Sequence, residues 1–340
     1  MEHIAIDLGG RKSQICVRDE KGAILLEQKV ETRSLRKFLE RRGQSRVILE
    51  TCAEAFNVAD SALETGHEVR VVPASLVRTL GVGARGIKTD ERDARTLSEV
   101  STRILLPSVH VPSEKSREWK SICNMRDELI KCRTALINSV RGWSRQSLLK
   151  IPTGGAENFH VRFRKAAEQS SSGLPEYVDR LVQSIADLSA QIVEADKEVE
   201  SLSSEDELCT RLRTVCGVGP ITSMRFAAQL DEISRFSSAH AVQSYLGLTP
   251  GENSSSDKKR RTGITKAGSS ALRSALVEAA WNLRRYRPQD PIALWAMEIE
   301  KRRGKKIAVT AVARKLAGIL YAMWRDGTDY ESKRAAERKD

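Results

Sequence analysis

The amino-acid sequence predicts an α/β domain at the start of the chain and a mainly helical remainder. Short apolar segments with strand-like alternation fill the first 112 residues, and after them the apolar residues recur at three- and four-residue steps. A chain of 340 residues is also long enough for two or more domains. We therefore predict an α/β domain over residues 1–112 and a basic helix with a coiled-coil oligomerisation region over 113–204. A second helical domain is predicted over 205–330 and a charged tail over 331–340.

The first three predicted strands form a meander. His3–Gly10 is a short apolar strand that carries Asp7 and ends at two glycines. Ser13–Arg18 and Ala23–Val30 alternate apolar and polar residues, and the turn Asp19–Gly22 separates them. Connections this short are typical of antiparallel neighbours.

Helices and strands then alternate. Leu35–Arg42 and Ala53–Thr65 have helical spacing, while Arg46–Thr51 and Glu68–Val72 are apolar strands, the first of which is apolar up to Glu50. Three hairpin strands followed by alternating helix and strand is, by analogy, the order of the ribonuclease-H-like fold.

The segment Lys88–Arg95 places Asp90 and Asp93 three residues apart, which on a helix is one face. Charged runs of this kind are common on solvated helices, so the two acids gain weight only from their context. In the predicted sheet the first and fourth strands can be neighbours, which brings Asp7 and Glu50 to one end. Four converging carboxylates repel one another unless cations lie between them. We therefore predict a site for Mg²⁺ or Mn²⁺, with two ions and no nucleotide, because these ions prefer oxygen ligands and ion pairs serve phosphodiester chemistry.

The composition points to a nucleic acid as partner. The net charge is +12 and the isoelectric point is about 9.5, which favours a polyanion. Aromatic residues make up only 5%, so base stacking is not the expected mode of binding. The six cysteines form no C-x-x-C pair, which argues against zinc. With neither a signal peptide nor an apolar run of membrane length, we expect a cytoplasmic protein that does not bind membranes.

The middle of the chain is predicted to be helical on both sides of a linker. Residues 113–149 combine an apolar stripe with a basic face, which is either a solvated face or a track for phosphates. Ile151–Ser172 contains Pro, Gly and Ser clusters and is predicted to be a linker. From Leu174 to Leu202 the apolar residues step by four and three, as in a heptad seam. The seam predicts either self-association or an antiparallel hairpin with the preceding helix.

The last part of the chain is predicted to be helices with two notable connections. A glycine turn spans Thr214–Pro220, and a polar loop with three consecutive serines spans Gly251–Gly263. Leu272–Trp281 and Ile307–Met323 have helical spacing. A serine-rich loop taken alone is most often a flexible linker.

A second class of protein shares the opening of this chain. Sugar-kinase-like and actin-like ATPases also begin with an apolar strand, an aspartate and a glycine-rich turn, here at Asp7–Gly10. That class needs a second aspartate–glycine loop and a glycine pair for adenosine, and the sequence offers no convincing equivalent. In that class of ATPases, the helix that carries Asp90 and Asp93 would have no role.

Several motifs resemble the DEDD transposases of bacterial insertion sequences. They are I-D-L-G-G-x-K at Ile6–Lys12, L-E-T at Leu49–Thr51, K-T-D-x-x-D-A at Lys88–Ala94, V-C-G-V-G-P-I-T at Val215–Thr222, Y-L-G-L-T-P at Tyr245–Pro250 and G-I-T-K-A-G-S-S-A-L-R at Gly263–Arg273. The nearest relatives by type are the insertion-sequence family numbered one hundred and ten and the pilin-gene-type DNA invertases. The resemblance implies a RuvC-like, ribonuclease-H-like first domain with Asp7, Glu50, Asp90 and Asp93 as its metal ligands.

The resemblance also implies a nucleophilic serine in the loop between G-L-x-P and G-x-I-T-K. Counting from either motif gives Ser255. The glycine that usually follows the serine is replaced by Ser256, so Ser254 and Ser256 stay open as alternatives. The predicted contacts to nucleic acid are Lys12, Lys88, Arg92, Arg126, Arg133, Arg141, Lys258, Lys259, Arg260, Arg261, Lys266 and Arg273.

The function implied is an insertion-sequence transposase or recombinase that cleaves and rejoins DNA through a phosphoserine. The expected partners are double-stranded DNA, a structured non-coding (bridge) RNA as guide, and further copies of the chain in a dimer or tetramer. The acidic domain of one copy would complete the serine domain of another. Two alternatives remain: a metal-dependent junction nuclease that activates water, and a non-catalytic nucleic-acid-binding protein.

Overall fold

The computed structural model describes residues 1–79, 89–169, 174–252 and 261–332. The chain divides into two compact units, Met1–Pro112 and Ser113–Asp340. The first unit is α/β and the second is mostly helical, so the predicted fold classes of the two parts are confirmed at this level.

A five-stranded sheet forms the centre of the first unit. Its strands are β1 Glu2–Asp7, β2 Lys12–Arg18, β3 Ile24–Glu31, β4 Ser45–Glu50 and β5 Glu68–Val72. The order across the sheet is β3-β2-β1-β4-β5. The first three strands are an antiparallel meander, and β4 runs parallel to both β1 and β5. The first and fourth strands are therefore neighbours.

Helices cover both faces of this sheet. They are α1 Leu35–Glu40, α2 Ala55–Glu64, α3 Ala74–Thr79 and α4 Asp90–Arg103. Because side chains alternate along a strand, Ile4 and Ile6 of β1 pack in the core with α1 and α2, while Ala5 faces the other way and packs with Leu97 of α4. The candidate functional site lies on the face of the sheet that α4 covers.

The second unit is built from nine described helices and one hairpin. The helices are α5 Glu114–Gln146, α6 Phe159–Glu168, α7 Glu176–Glu205, α8 Glu207–Leu212, α9 Pro220–Leu230, α10 Ala239–Tyr245, α11 Ser270–Tyr286, α12 Pro291–Arg303 and α13 Lys305–Asp326. The hairpin pairs β6 Pro250–Glu252 with β7 Arg261–Ile264. The polar loop predicted over 251–263 thus has strands at both ends.

The two longest helices, α5 and α7, pack antiparallel within the chain. Ile137 near the end of α5 shares a core cluster with Val182 near the start of α7, and Trp119 near the start of α5 packs with Val199 near the end of α7. The seam therefore has a partner in its own chain. The buried positions of α7 include Val178, Ile185, Ile192 and Val199 of the predicted seam. They also include Val182, Ser189 and Ser203, each one position after a predicted leucine.

The prediction of a linker over 151–172 was wrong for its second half. Helix α6 lies there, and Phe159 and Phe163 are fully buried in the cluster that joins α5 to α7. The glycine and proline signals end at Gly155, and two phenylalanines four residues apart form the apolar face that follows. Helix α12 was also not predicted, since no periodicity was recognised between Tyr286 and Lys305.

Helix α13 is the central core helix of the second unit. By length and composition alone it is apolar enough to cross a membrane, with a mean hydropathy of 1.3, but 61% of that window is buried against the rest of the unit. Leu316, Ala317 and Leu320 are fully buried there. Burial of this kind is typical of a core helix, which passes the same test.

Candidate active site

Two of the predicted acids end neighbouring parallel strands. The register pairs Ile6 of β1 with Leu49 of β4, so the next residues, Asp7 and Glu50, lie side by side at one edge of the sheet. Ile6 and Leu49 point into the core with α1 and α2. Because side chains alternate, Asp7 and Glu50 point to the opposite face, which α4 covers. Both acids are half-buried.

Helix α4 brings a third acid to this face. Its far end lies over the start of β1, where His3 Nδ1 is 2.8 Å from Ser101 Oγ. Leu97 packs on Ala5 further along, so α4 runs antiparallel to β1 and its first turns lie level with Asp7. Asp93 is only 1% exposed, on the buried face of α4 with Leu97. Asp7, Glu50 and Asp93 therefore share one face of one end of the sheet.

The fourth acid takes a different direction. Asp90 is exposed, and its Oδ2 lies 3.0 Å from Nζ of Lys29 on β3. Lys29 and Asp7 are joined through Gln14 in one row across the sheet, so Lys29 stands two strands away from Asp7. An ion pair to β3 draws Asp90 toward the edge strand, although α4 places it one turn from Asp93.

The donor set suits a hard divalent cation. Asp7, Glu50 and Asp93 offer only carboxylate oxygens, the ligands that Mg²⁺ and Mn²⁺ prefer. Within the described part of the chain, no three histidine, cysteine or acidic side chains are already gathered around a point as metal ligands would be. The three carboxylates thus lie on one face of the sheet, but in the described residues they do not form a ready-made group of metal ligands.

The turn after Asp7 is fixed by residues that the sequence did not single out. A Cβ at Gly9 would lie 2.5 Å from the carbonyl oxygen of Lys12, so only glycine fits this turn. Thr32 Oγ1 donates to the Gly9 carbonyl at 2.5 Å and lies 2.8 Å from Ser13 Oγ. These hydroxyls hold the strand end that carries Asp7. The glycine pair that begins two residues after Asp7 was the only signal available for them.

The predicted cations near the acids are placed unevenly. Lys12 is exposed at the start of β2, and Arg92 is exposed on the first turn of α4, where its backbone N–H bonds the Thr89 hydroxyl at 3.3 Å. Arg95 is paired with Glu27 on β3, and this pair lowers the pKa of the Glu27 carboxyl. Lys88 lies outside the described residues.

The predicted serine loop connects the strands of the β6–β7 hairpin. Pro250 pairs with Ile264 and Glu252 with Arg261, so both ends of the loop are held together. The predicted nucleophile, its two alternatives and most of the basic cluster beside them lie outside the described residues. These are Ser254, Ser255, Ser256, Lys258, Lys259 and Arg260. Of Arg261 only the backbone is described.

The base of the hairpin is a close contact between two motifs. Gly247 has φ +68°, and a Cβ there would lie 2.2 Å from the Ala267 carbonyl oxygen. Arg273 Nη1 donates to the carbonyls of Leu246, Ala267 and Gly268 at 3.2, 2.7 and 3.0 Å. Arg273 was predicted to bind nucleic acid. Its guanidinium holds the hairpin base together through Nη1, and its contact with nucleic acid stays a prediction.

Lys266 sits in the same loop with its side chain exposed. Its φ is +58°, and its backbone N–H donates to the Gly247 carbonyl at 3.1 Å. The backbone of Lys266 therefore supports the hairpin while its side chain is available to a ligand.

The basic face predicted for α5 needs correction at two positions. Arg133 is 9% exposed, packs between α5 and α7, and donates to Ser189 Oγ at 3.4 Å. Arg126 is paired with Asp196 of α7 and is mostly buried. Arg126 has an acidic partner in α7 and Arg133 a serine hydroxyl, and their burial against α7 leaves neither guanidinium on the exposed face of α5. Arg141 is exposed and lies over the ring of Phe159.

Comparisons with known proteins give the same class from both halves of the chain. The family model described as Transposase IS116/IS110/IS902 family matches residues 209–293. The DEDD model of IS110, described as Transposase, matches residues 4–146, which contain Asp7, Glu50, Asp90 and Asp93.

Similar proteins match over most of their length. The putative transposase y4pF/y4sB of Sinorhizobium fredii is 31% identical over 90% of this chain and 79% of its own. The probable family 20 transposase of Pseudomonas aeruginosa is 26% identical over 97% and 98%. The transposase for insertion sequence element IS1111A of Coxiella burnetii is 24% identical over 94% and 88%.

The sheet-edge acids and these matches define a DEDD-type transposase, an enzyme that cleaves and rejoins DNA. The chain belongs to the IS110 (IS116/IS110/IS902) family of transposases. A DEDD domain implies dependence on a divalent metal ion, and a transposase binds DNA.

Proposed function

We propose that this transposase cuts DNA by attack of Ser255 on a phosphodiester that the acidic face of the first unit holds. The observation that supports it is the position of Asp7, Glu50 and Asp93 on one face at one end of the sheet. Acids in that position suit a RuvC-like domain. Carboxylates on one face attract cations, and cations held there would in turn bind a scissile phosphate.

Two Mg²⁺ ions are the cofactors that we assign to this face, with Asp7, Glu50, Asp90 and Asp93 as ligands. When bound, such ions neutralise charge on the scissile phosphate and polarise its oxygens. The carboxylates fix the position of the phosphate, and Asp90 would have to exchange its contact with Lys29 for this role. Lys12 and Arg92 are exposed near this face and would contact flanking phosphates.

The chemistry of the serine step is a balanced exchange of esters. The Ser255 Oγ–P bond forms as the P–O bond to the leaving deoxyribose hydroxyl breaks, and the serine proton passes to the leaving oxygen. The phosphoserine keeps the energy of the original bond, so the reverse attack by another strand end rejoins DNA without ATP. Lys258, Lys259, Arg260 and Lys266 would hold the phosphates beside the serine.

The choice of DNA sites is assigned to a structured non-coding RNA, and the active form to an oligomer. The net charge of +12 favours a polyanionic partner in either case. The α5–α7 pair already satisfies one seam within the chain. Leu181 and Leu202 of α7 already pack against core clusters of their own chain, so the half-buried Leu188 is the leucine that we assign to a coiled-coil contact between copies.

A covalent-adduct assay tests the serine assignment. Purified protein is mixed with labelled DNA that carries the ends of the element, and denaturing gels show the protein–DNA adduct. We expect Ser255→Ala to abolish the adduct, while Ser254→Ala and Ser256→Ala keep it. Asp93→Asn should abolish it as well.

Other outcomes identify the alternatives. Cleavage by Ser255→Ala without any adduct would show that the acids activate water, as in a junction nuclease. An adduct that moves to Ser254 or Ser256 would correct the position of the nucleophile. Recombination in cells that persists with Asp93→Asn would contradict the metal-site assignment.

A further inference from the structure

A cleft of about 390 Å³ lies in the second unit between the β6–β7 hairpin and helix α13. One wall comes from the hairpin, with Pro250, Thr262 and Ile264. The opposite wall is basic and comes from the end of α12 and the first turns of α13, with Arg303, Lys306 and Arg314. No aspartate or glutamate lines the cleft within the described residues.

Two of the three cations of this cleft form no ion pair with the described residues. Arg303 and Lys306 are exposed, and neither makes an ion pair with any carboxylate in the described ranges. Their neighbours on α12 differ, since Lys301 lies 2.8 Å from Glu298 Oε1 and Arg302 reaches the Glu298 carbonyl at 3.4 Å. Uncompensated cations on one wall attract an anion.

Arg314 is held in place by a hydrogen bond to a buried glutamine. Its Nε donates to Gln243 Oε1 at 2.9 Å, and Gln243 is only 3% exposed. A Cβ at Gly318 would lie 2.9 Å from Gln243 Nε2, so glycine makes room for that amide. The terminal nitrogens of Arg314 make no hydrogen bond to the described residues. A guanidinium fixed at one nitrogen, with its fork open, suits a phosphate.

The electrostatic field at the start of helix α13 also favours an anion in the cleft. The helix begins at Gly304, which offers no side-chain cap, and its first turn contains Lys305 and Lys306 and no acid. Cations at a helix N-terminus oppose the helix dipole. An anion in the cleft would relieve this repulsion and the repulsion among the three side chains.

We propose that this cleft binds the phosphodiester backbone of DNA beside the strand that the hairpin loop attacks, through Arg303, Lys306 and Arg314. The occupant is DNA rather than guide RNA because the hairpin strands that form the cleft wall also anchor the loop that carries Ser255. The inference rests on the proposed function for that loop. It assigns the cleft a role in holding the DNA strand on both sides of the cut.

The test compares two double variants that remove the same charge from adjacent positions. Arg303→Gln/Lys306→Gln removes two cleft cations, and Lys301→Gln/Arg302→Gln removes their neighbours outside it. Binding of a fluorescein-labelled DNA duplex to the full-length protein is measured over a range of salt concentrations, with an RNA duplex of equal length as the second probe. Thermal melting checks that both variants fold, as expected from exposed side chains.

We expect the cleft variant to lose roughly fiftyfold in DNA affinity at about 0.1 M salt, and the salt slope to fall by about 1.8, because each phosphate contact contributes about 0.9 to the slope. The neighbouring variant should lose about threefold or less through its longer-range charge. Equal losses in the two variants, or no loss in the cleft variant, would overturn the proposal. A loss for RNA but not for DNA would overturn the assignment of the occupant.

The two proposals fail separately. Duplex binding needs no cleavage, so it can be repeated with Ser255→Ala and still reports on the cleft if the serine is not the nucleophile. The adduct assay with Ser255→Ala reports on the nucleophile even if the cleft binds nothing.

Discussion

Two basic regions of the second unit look alike in the sequence and differ in the structure. Along α5, Arg126 and Arg133 are buried and bonded to α7. In the cleft beside the hairpin, Arg303 and Lys306 are exposed and unpaired within the described residues. The number of cations in a segment therefore does not tell how many are available to a ligand. Burial and the presence of an acid across the interface decide this.

The physical reason lies in the cost of burying charge. A cation taken out of water needs a partner, and the α5 region supplies carboxylates from neighbouring helices. Arg225 of α9 is 8% exposed and lies 2.6 Å from Asp127 of α5. An exposed cation keeps its hydration without any partner. It can later exchange water for a phosphate.

The largest expected effect concerns the rigidity of the hairpin base. Gly247→Ala should destabilise the protein by at least about 3 kcal/mol, because φ is +68° and the new Cβ would lie 2.2 Å from a backbone oxygen. Gly263→Ala is the control, since a Cβ there meets no atom of the described residues within 4 Å, and about 0.5 kcal/mol is expected. Urea unfolding measures both. Equal stability of the two variants would mean that the hairpin side of the cleft is not fixed.

Removing a buried partner on the α5 side should cost slightly less. Among the described residues, Asp127→Ala leaves Arg225 with only the Cys123 carbonyl, at 2.9 Å, and we expect a loss of about 2–3 kcal/mol. Glu128→Ala breaks an exposed pair with Lys131 and should cost about 0.5 kcal/mol. If the two variants unfold at the same urea concentration, the distinction between buried and exposed cations is wrong for this region.

Arg133 tests whether a buried cation of α5 contributes to DNA binding as the exposed cations of the cleft are proposed to do. Arg133→Met keeps the packing and removes a buried charge whose Nε makes no hydrogen bond, so stability should change by no more than about 1 kcal/mol. DNA affinity should stay at the parent value. A tenfold loss of DNA affinity with unchanged stability would place Arg133 with the cleft cations and break the comparison.

The smallest effect extends the comparison to the first unit. The pair between Lys29 and Asp90 has both side chains at least half exposed, so it is worth about 1 kcal/mol or less. Lys29→Gln should release Asp90 and tighten Mn²⁺ binding by up to about fivefold, as measured by calorimetry. Lys21→Gln is the control, because Lys21 is exposed in a turn and forms no ion pair among the described residues. The same change in both variants would contradict a specific role for Lys29.

Much of the first unit could be predicted because its rules are local. Alternation with period two gave the second and third strands, and short apolar runs gave the others. The acid at the end of each of two apolar strands gave Asp7 and Glu50. The pairing of Asp90 with Lys29 could not be predicted, because it joins a helix to a strand 61 residues earlier. Nothing in either segment alone indicates that contact.

In the second unit, four positions of the predicted seam are buried, namely Val178, Ile185, Ile192 and Val199. At the positions between them the prediction followed Leu181 and Leu188, whereas the buried residues are Val182 and Ser189. A serine is buried there because Arg133 of α5 lies across from it. The sequence of one helix cannot show which polar residue its partner presents. The cleft was missed for the same reason, since its walls come from two segments about 40 residues apart.

The short hairpin has one further consequence. Its ladder is registered at only two pairs, Pro250 with Ile264 and Glu252 with Arg261, and a ladder this short is marginal by itself. Any ligand that contacts Thr262 and Ile264 from the cleft adds its binding free energy to that of the closed ladder, by mass action. Occupancy of the cleft and closure of the two strands are thereby thermodynamically linked. In the proposed function, the strands that anchor the Ser255 loop would be paired most firmly when the DNA is already in place.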